Sequence, residues 1–288
     1  QHVHSMADVG RPKVQSAAAT VAALNPEVSV MAIQERLTSA NALALFADYD
    51  LVVDGSDNFP TRYLADDAAR LTGIPVVWGA VSQYGGQAGL SWAERGPTYR
   101  DLFPVPPAPG TVPSCEAGGV LPTTVAVIGA IMATEAIKVL TGIGTPLIGR
   151  VTTFDALSGA FRSLDYAADP DATPVTELID YATFCGLGDA LTSTQLAART
   201  DAFTLLDVRE PWEADIVALP GAVLIPLGSL GSRLHELDRS LPVVAYCHHG
   251  VRSASARLIL ADGGFDASHL SGGIDAWARD YDCSLARY

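Results

Sequence analysis

The 288-residue sequence predicts an α/β protein built from two different domains, and three observations carry that expectation. Apolar β-like runs alternate with helical stretches from about residue 12 to residue 165, the pattern of a doubly wound α/β layer. A polar, proline-containing stretch at 166–192, opening on "ADPDATP", then breaks the pattern and reads as a linker. Beyond it, over residues 193–288, short β runs recur between helical segments and describe a smaller α/β domain.

In order, "PKVQSAAATVAAL" (12–24) is rich in helix formers and stops at Asn25-Pro26, after which "VSVMAI" (28–33) reads as a strand. A helical stretch near 39–47 precedes "YDLVVDGSDN", an apolar strand whose end carries carboxylates and a glycine. "PTRYLADDAARLTG" reads as a helix and "IPVVWGAV" as the next strand. "FPVPPAPGTVPSCEAGG" (103–119) is too rich in proline and glycine for regular structure and predicts an exposed loop. "TTVAVIGAIMATEAIKVLTGIG" predicts a long buried helix closed by glycine, and "RVTTFDALSGAFRSLDY" a strand, turn and strand. In the second domain, "FTLLDVRE", "VLIPL" and "PVVAYC" are the β runs.

Composition removes several classes of function. Net charge is −14 and the only lysines are Lys13 and Lys138, so no basic surface exists to track phosphates and nucleic acid is not an expected partner. The longest nearly apolar stretch, Val125 to Ala133, falls short of the roughly 20 residues of a membrane span. No signal peptide is recognisable, so the expectation is a soluble, cytoplasmic chain without a membrane partner. The four cysteines, Cys115, Cys185, Cys247 and Cys283, are far apart and form no CxxC pair, which argues against a disulfide framework and a four-thiolate metal site.

One cysteine stands out by its surroundings. In "VVAYCHHGVRSAS" (243–255) Cys247 ends an apolar strand, a glycine-containing loop follows, and a helix is expected near Ser253. Loop amides and the helix N-terminus would then converge on the sulfur and favour negative charge there. Arg252 adds a positive charge at the rim, and a persulfide anion would need the same donors. A cysteine at a strand end is ordinarily a small buried hydrophobe; the loop, the arginine and the flanking motifs reverse that reading. The C-x4-R spacing is one residue shorter than the phosphate-cradling loop of tyrosine phosphatases and suits a single sulfur atom better. Cys283, in "DYDCSLARY", has no such setting.

"LLDVREPWEADIVALPGAVLIPL", "YCHHGVRSA" and "HLSGGIDAWA" together resemble a single-domain rhodanese, in the right order. The resemblance implies that Cys247 forms the persulfide, that Arg252 helps hold an anionic donor, and that Asp207 with Arg209 buttresses the loop. His248 and His249 would be loop residues able to steer anions.

"DVGRPKVQSAAATVAALNPEVSV", "DLVVDGSDNFPTRYLADDAARLTGIPVVWGAV", "PSCEAGGVLP" and "EAIKVLTGIGTPLIGRVTTFDAL" resemble the MoeB/ThiF-type proteins that activate ubiquitin-like sulfur carriers. Residues 1–165 would be a partial, Rossmann-like adenylation domain. With the rhodanese at 193–288 the whole chain resembles the MoeZ-type adenylyltransferase/sulfurtransferase family. The family uses ATP and Mg2+ to adenylate the C-terminal glycine of the carrier, because a carboxylate resists sulfur nucleophiles until it bears a leaving group. The rhodanese persulfide then supplies sulfur, drawn from thiosulfate or another persulfide, and yields a thiocarboxylate for molybdopterin, thiamine or cysteine biosynthesis.

Carried onto this sequence, the resemblance gives Lys13 to the ATP phosphates, Asp57 to the magnesium that bridges them, and Asn58 to nucleotide or phosphate. For Asp57 the plainer alternative, a turn or helix-cap residue, is the less favoured one. Cys115 falls where the family has its thioester or acyl-disulfide cysteine, although neighbouring Glu116 opposes negative charge on its sulfur. The resemblance also implies a homodimer.

Two departures matter. Many relatives hold zinc with two CxxC pairs, but the corresponding places read "TYRD" (98–101) and "ATFC" (182–185), so no zinc is expected. The chain opens on "QHVHSMADVG", without the family's first strand, Gly-rich nucleotide loop, acidic ribose residue and arginine-bearing helix. It is therefore expected to be a fragment whose adenylation half can be inactive. A rival reading makes the first domain a carrier-binding scaffold with only the rhodanese catalytic. A weaker one, resting on Cys247 and Arg252 alone, is a cysteine-based phosphatase or arsenate reductase.

Overall fold

The computed structural model describes residues 3–107, 111–112, 118–186, 188, 190–282 and 284–286. Cys115, Cys283 and much of the expected loop at 103–119 lie outside them. The chain divides into two compact units, residues 1–56, 64–98 and 119–176 in the first and 57–63, 99–118 and 177–288 in the second.

The first unit opens on α1 (Lys13–Leu24), whose last turn closes with Asn25 N–H donating to the Val21 carbonyl at 2.8 Å. The proline at 26 cannot continue it. The short α2 (Ala42–Phe46) follows. Residues 28–33, expected as a strand, form none, and Val28, Val30 and Met31 are exposed. An alternating apolar run becomes a strand only with a neighbouring backbone to pair with, and no strand of this sheet runs beside it.

The sheet runs in the order β1 (Val52–Asp54), β2 (Val76–Ser82), β3 (Gly85–Ser91), β4 (Arg150–Asp155) and β5 (Ala160–Asp165). Only β1 and β2 are parallel, Val52 facing Val76; the other pairs are antiparallel. The doubly wound expectation is thus corrected to a mixed sheet. The reason is local: β2 and β3 are joined by only Gln83 and Tyr84, and β4 and β5 by the turn before Ala160, where Gly159 takes φ +70°. Connections that short permit only antiparallel neighbours.

Between β1 and β2 lies α3 (Phe59–Thr72). After β3 come the one-turn α4 (Tyr99–Leu102) and then α5 (Pro122–Thr141), which ends on Gly142 at φ +70° with its N–H bonded to the Lys138 carbonyl. α5 packs Ile128 and Met132 against Val77, Ala88 and Leu90. It was expected to be buried, yet it hides one face only; Val125, Ile137 and Leu140 are exposed. It is 20 residues long and contains an 18-residue stretch with a mean hydropathy of 1.6, so it also reaches the length and composition of a membrane span, which the shorter run Val125–Ala133 did not suggest. The helix is anchored at its end by Glu135, almost fully buried, which accepts from Lys138 Nζ at 2.6 Å and from the Leu147 N–H at 2.8 Å.

The second unit contains a five-stranded, all-parallel sheet in the order β6 (Ala190–Leu191), β10 (Ala267–Leu270), β9 (Val243–Tyr246), β7 (Thr204–Asp207) and β8 (Val223–Leu224). Its helices are α6 (Tyr181–Phe184), α7 (Ser193–Ala197), α8 (Pro211–Ile216), α9 (Leu227–Arg233), α10 (Val251–Asp262) and α11 (Gly273–Asp280). The central strand β9 is buried on both faces, as parallel sheets require. Val243, Ala245 and Cys247 join a core with Leu206, Ile225, Leu230 and Leu260, while Val244 and Tyr246 join Leu219, Leu270 and Ile274 on the other side. β6 lies inside the stretch read as linker and already pairs with β10.

Candidate functional site: a cysteine loop between β9 and α10

Leaving β9, the chain passes through Cys247, His248 and His249 to Gly250, the N-cap of α10, at φ +94°. The helix begins at Val251, two residues earlier than expected. A side chain at Gly250 would meet the backbone of Gly272, so glycine is required by space as well as by φ. This geometry turns the Gly250 N–H onto the Cys247 sulfur, 3.1 Å away. Ser253 Oγ lies 3.6 Å from the same atom and donates to the Gly250 carbonyl at 3.1 Å. The sulfur therefore sits at the positive end of a three-turn helix, facing a backbone donor, in a residue only 1% exposed.

The loop's carbonyls are held from the other side by the start of α11. Ile274 N–H donates to Cys247 O at 2.9 Å and Asp275 N–H to His248 O at 3.1 Å. That approach is possible because residue 273 is glycine, at φ +60°; a Cβ there would collide with both carbonyl oxygens. Gly273→Ala is accordingly expected to cost at least about 1–3 kcal/mol in this unit and to displace the loop. Amide exchange in β9 and the rate of sulfur addition to Cys247 would both report it.

Beneath the loop lies a buried polar knot. Arg209, with no exposed surface, donates through Nε to Asp207 Oδ1 at 2.9 Å and through Nη2 to the Val217 carbonyl at 2.8 Å. Tyr246 Oη donates to Asp207 Oδ2 at 2.8 Å and accepts from the Leu219 N–H at 3.1 Å. Burial, reinforced by the Asp207 charge, pushes the Tyr246 phenol well above its usual range, so it remains a donor. The knot ties β7 to β9 directly below Cys247.

Arg252, expected to add a positive charge at the loop's rim, has a side chain 34% exposed and is ion-paired. Its Nη1 and Nη2 both donate to Glu213 of α8, each at 2.6 Å, and the Glu213 side chain is 5% exposed. Glu213 also accepts from Glu210 N–H at 3.0 Å at the start of its helix. Sequence reasoning missed Glu213; its signal was the glutamate three residues after Glu210 in "EPWE", where a helix N-terminus is capped.

The other expected residues are spread over both units. Lys13 opens α1 in the first unit, exposed and without an ion pair among the described residues. Lys138, by contrast, is committed to Glu135. Asp57 and Asn58 belong to the second unit and are exposed. Asn58 Oδ1 accepts from the Thr61 N–H at 3.0 Å, so this oxygen caps α3. Asp54, just before them, spends a carboxylate oxygen on the Ser56 N–H at 2.8 Å. Cys115 lies outside the described residues.

The segments that correspond to zinc-binding pairs in relatives meet through rings. Arg100 stacks 4.5 Å from the Phe184 centroid and 5.2 Å from that of Tyr63, and Tyr63 lies edge-on to Tyr99 and Phe184 at 5.3 and 5.2 Å. Cys185 is buried here, and desolvation pushes its thiol up to about 11. One buried neutral thiol beside a guanidinium does not fit zinc, which takes four such donors in a closed site. Among the described residues there is no group of three or more metal-ligating side chains.

An α/β unit with a mixed sheet, joined to a parallel-sheet unit with a cysteine loop over a buried Asp-Arg pair, defines a two-part protein of the activating-enzyme and rhodanese class. Residues 1–175 match the ThiF family and residues 192–280 the rhodanese-like domain. The chain belongs to the ThiF family, in its branch of adenylyltransferase/sulfurtransferases with a rhodanese-like domain at the C-terminal side. It is 44% identical to the probable adenylyltransferase/sulfurtransferase MoeZ of Mycobacterium tuberculosis, over 100% of this chain and 79% of that protein. It is 50% identical to the sulfur carrier protein adenylyltransferase of Thermus thermophilus over 65% of this chain and 73% of that one. Among solved structures, E. coli MccB superposes with a TM-score of 0.53 at 16% identity, over 60% of this chain and 54% of MccB, a likeness of fold.

Proposed function

We propose that this chain adenylates the C-terminal glycine of a ubiquitin-like sulfur-carrier protein with ATP and then delivers sulfur from a Cys247 persulfide to give the carrier thiocarboxylate. The observation that carries the reading is the Cys247 loop. A buried sulfur that accepts a backbone N–H at the head of a helix is prepared to carry negative charge, first as thiolate and then as persulfide. Cys247 takes the sulfane sulfur of a donor, thiosulfate or another persulfide. The terminal sulfur then attacks the activated glycyl carbonyl and displaces AMP. A second thiolate attacking the Cys247 sulfur of the resulting acyl disulfide breaks its S–S bond, releases the thiocarboxylate and leaves Cys247 in a disulfide.

For activation, Lys13 and Asp57 are the exposed side chains of opposite charge that the reading assigns to the triphosphate and to its magnesium. A magnesium carried in on phosphates needs only one or two carboxylates, which Asp57 satisfies. When bound, the ion would neutralise charge on the phosphates as pyrophosphate departs. Asn58, whose Oδ1 is engaged in the α3 cap, would contribute its amide nitrogen. Cys115 would stand at the junction of the two reactions, as covalent holder of the carrier or as acceptor of the persulfide sulfur. In this reading residues 1–165 form the adenylation domain, 166–192 the linker and 193–288 the rhodanese domain, and the protein works as a cytoplasmic homodimer.

The test is carrier-dependent exchange of pyrophosphate into ATP, followed by intact mass of the carrier. Exchange plus a carrier with oxygen replaced by sulfur is the expected result; neither signal, from a folded protein, would sink the reading. Carrier binding without exchange, with sulfur still added to Cys247, would instead support a docking scaffold beside an active rhodanese.

A further inference from the structure

The persulfide loop has had its permanent positive charge cancelled. Arg252 is neutralised by Glu213 through two bonds of 2.6 Å. Arg209 is neutralised by Asp207 and has no exposed surface. What remains for an incoming donor is the Gly250 amide and the N-terminus of α10, equivalent to about half a positive charge. That field suits one negative charge on sulfur better than the two of a dianion such as thiosulfate.

Two imidazoles stand in the same loop. The His248 and His249 rings stack with centroids 3.8 Å apart and an interplanar angle of 21°, and both residues are half-buried. At that spacing a positive charge on His248 is felt by the neighbouring ring. The charged groups that bear on His248 are His249 on the loop, Asp275 at the start of α11, Glu213 on α8, itself paired with Arg252 of α10, and Arg209 beyond β7. Burial, followed by His249, holds the His248 imidazole below its ordinary value, while Asp275 and Glu213 pull the other way. His248 is therefore neutral in and above the ordinary imidazole range and gains positive charge only as pH falls below it.

Resting on the sulfurtransferase reading, we propose that His248, stacked on His249 in the cysteine loop, selects the sulfur donor: neutral, it leaves the loop fit for monoanionic donors, and protonated, it admits dianionic ones. The chemistry is the same for both donor classes. Cys247 Sγ, as thiolate, attacks the outer sulfur of the donor and forms a new S–S bond. The donor's own S–S bond breaks and its electron pair leaves on sulfite or, from a thiosulfonate, on sulfinate. Total charge is conserved and no external oxidant is needed.

The experiment measures single-turnover addition of one sulfur to the full chain by intact mass, with thiosulfate (dianion) and methanethiosulfonate (monoanion) as donors between about pH 8 and 5.5. Taking the ratio of the two rate constants cancels every pH effect common to both donors. In the native chain the thiosulfate-to-methanethiosulfonate ratio is expected to rise about five- to tenfold as pH falls. In His248→Gln/His249→Gln it should be flat. In His249→Gln the rise should persist and move to higher pH, because His248 loses its like-charged neighbour. A flat ratio in the native chain, or an undiminished rise in the double variant, overturns the proposal while leaving sulfur transfer intact. Absence of transfer from both donors would overturn the sulfurtransferase reading and this proposal with it.

Discussion

Replacing Arg209 by methionine is expected to cost the rhodanese unit about 3–5 kcal/mol, the largest stability effect of any single change considered. Methionine fills much of the same volume, so the loss is electrostatic and not a cavity. Asp207, 1% exposed, would keep its bonds to the Tyr246 hydroxyl and the Arg209 backbone N–H but lose its only buried counter-charge. Two hydrogen bonds do not replace a counter-ion in that setting, and the carboxylate must either take up a proton or admit water. The Val217 carbonyl also loses its donor. Because the protein has two units, the measurement should be native-state amide exchange of β7 and β9, which reports this unit alone. Arg209→Met/Asp207→Asn should regain a substantial part of the loss, since the second change removes the orphaned charge. A single-variant cost below about 1 kcal/mol would show that water already reaches the pair and that it is no buttress.

Why this knot was legible and its neighbour was not follows from spacing. Asp207 and Arg209 are two apart at the end of a strand run, so their proximity is written in the local sequence. Glu213 and Arg252 are 39 residues apart, and their meeting depends on the tertiary fold bringing α8 and the first turn of α10 within ion-pair reach. The consequence for function is large: read alone, Arg252 is a free positive charge, whereas in the fold it is half of an ion pair.

The first unit shows the same limit for backbone. β3, "GGQAGLS", carries almost nothing of a β signature, and sequence reading passed over it. Its glycines are there for what approaches them: a Cβ at Gly86 would meet Ile128 Cγ1 of α5 at 2.5 Å, and one at Gly89 would meet the Trp78 ring at 2.5 Å. Glycine in a strand that lets a helix or an indole press close looks, in one dimension, like a loop. Conversely, residues 28–33 have the composition of a strand but no ladder to join. The hairpin β4–β5, the glycine-closed α5 and the strand before Cys247 were legible because each is specified by local pattern and local turn chemistry.

Cys247→Ser is expected to abolish sulfur addition on treatment with thiosulfate or thiosulfonate, a loss on the order of a thousandfold or more. Serine retains the size of the residue and an acceptor for the Gly250 N–H, so the loop should stay folded, but its oxygen is not a thiolate and cannot carry a persulfide. The competing thiol among the described residues, Cys185, is a poor substitute on physical grounds: it is 5% exposed, and burial pushes its thiol up to about 11, so it is protonated at neutral pH. Cys115→Ala should leave the sulfur on Cys247 in place and act only afterwards, on delivery to the carrier. Intact mass of the two variants after donor treatment separates these steps. Sulfur retained in Cys247→Ser and lost in Cys115→Ala would exchange the roles of the two cysteines, and the amide-lined loop between β9 and α10 would then be a structural turn and not the point at which sulfur enters.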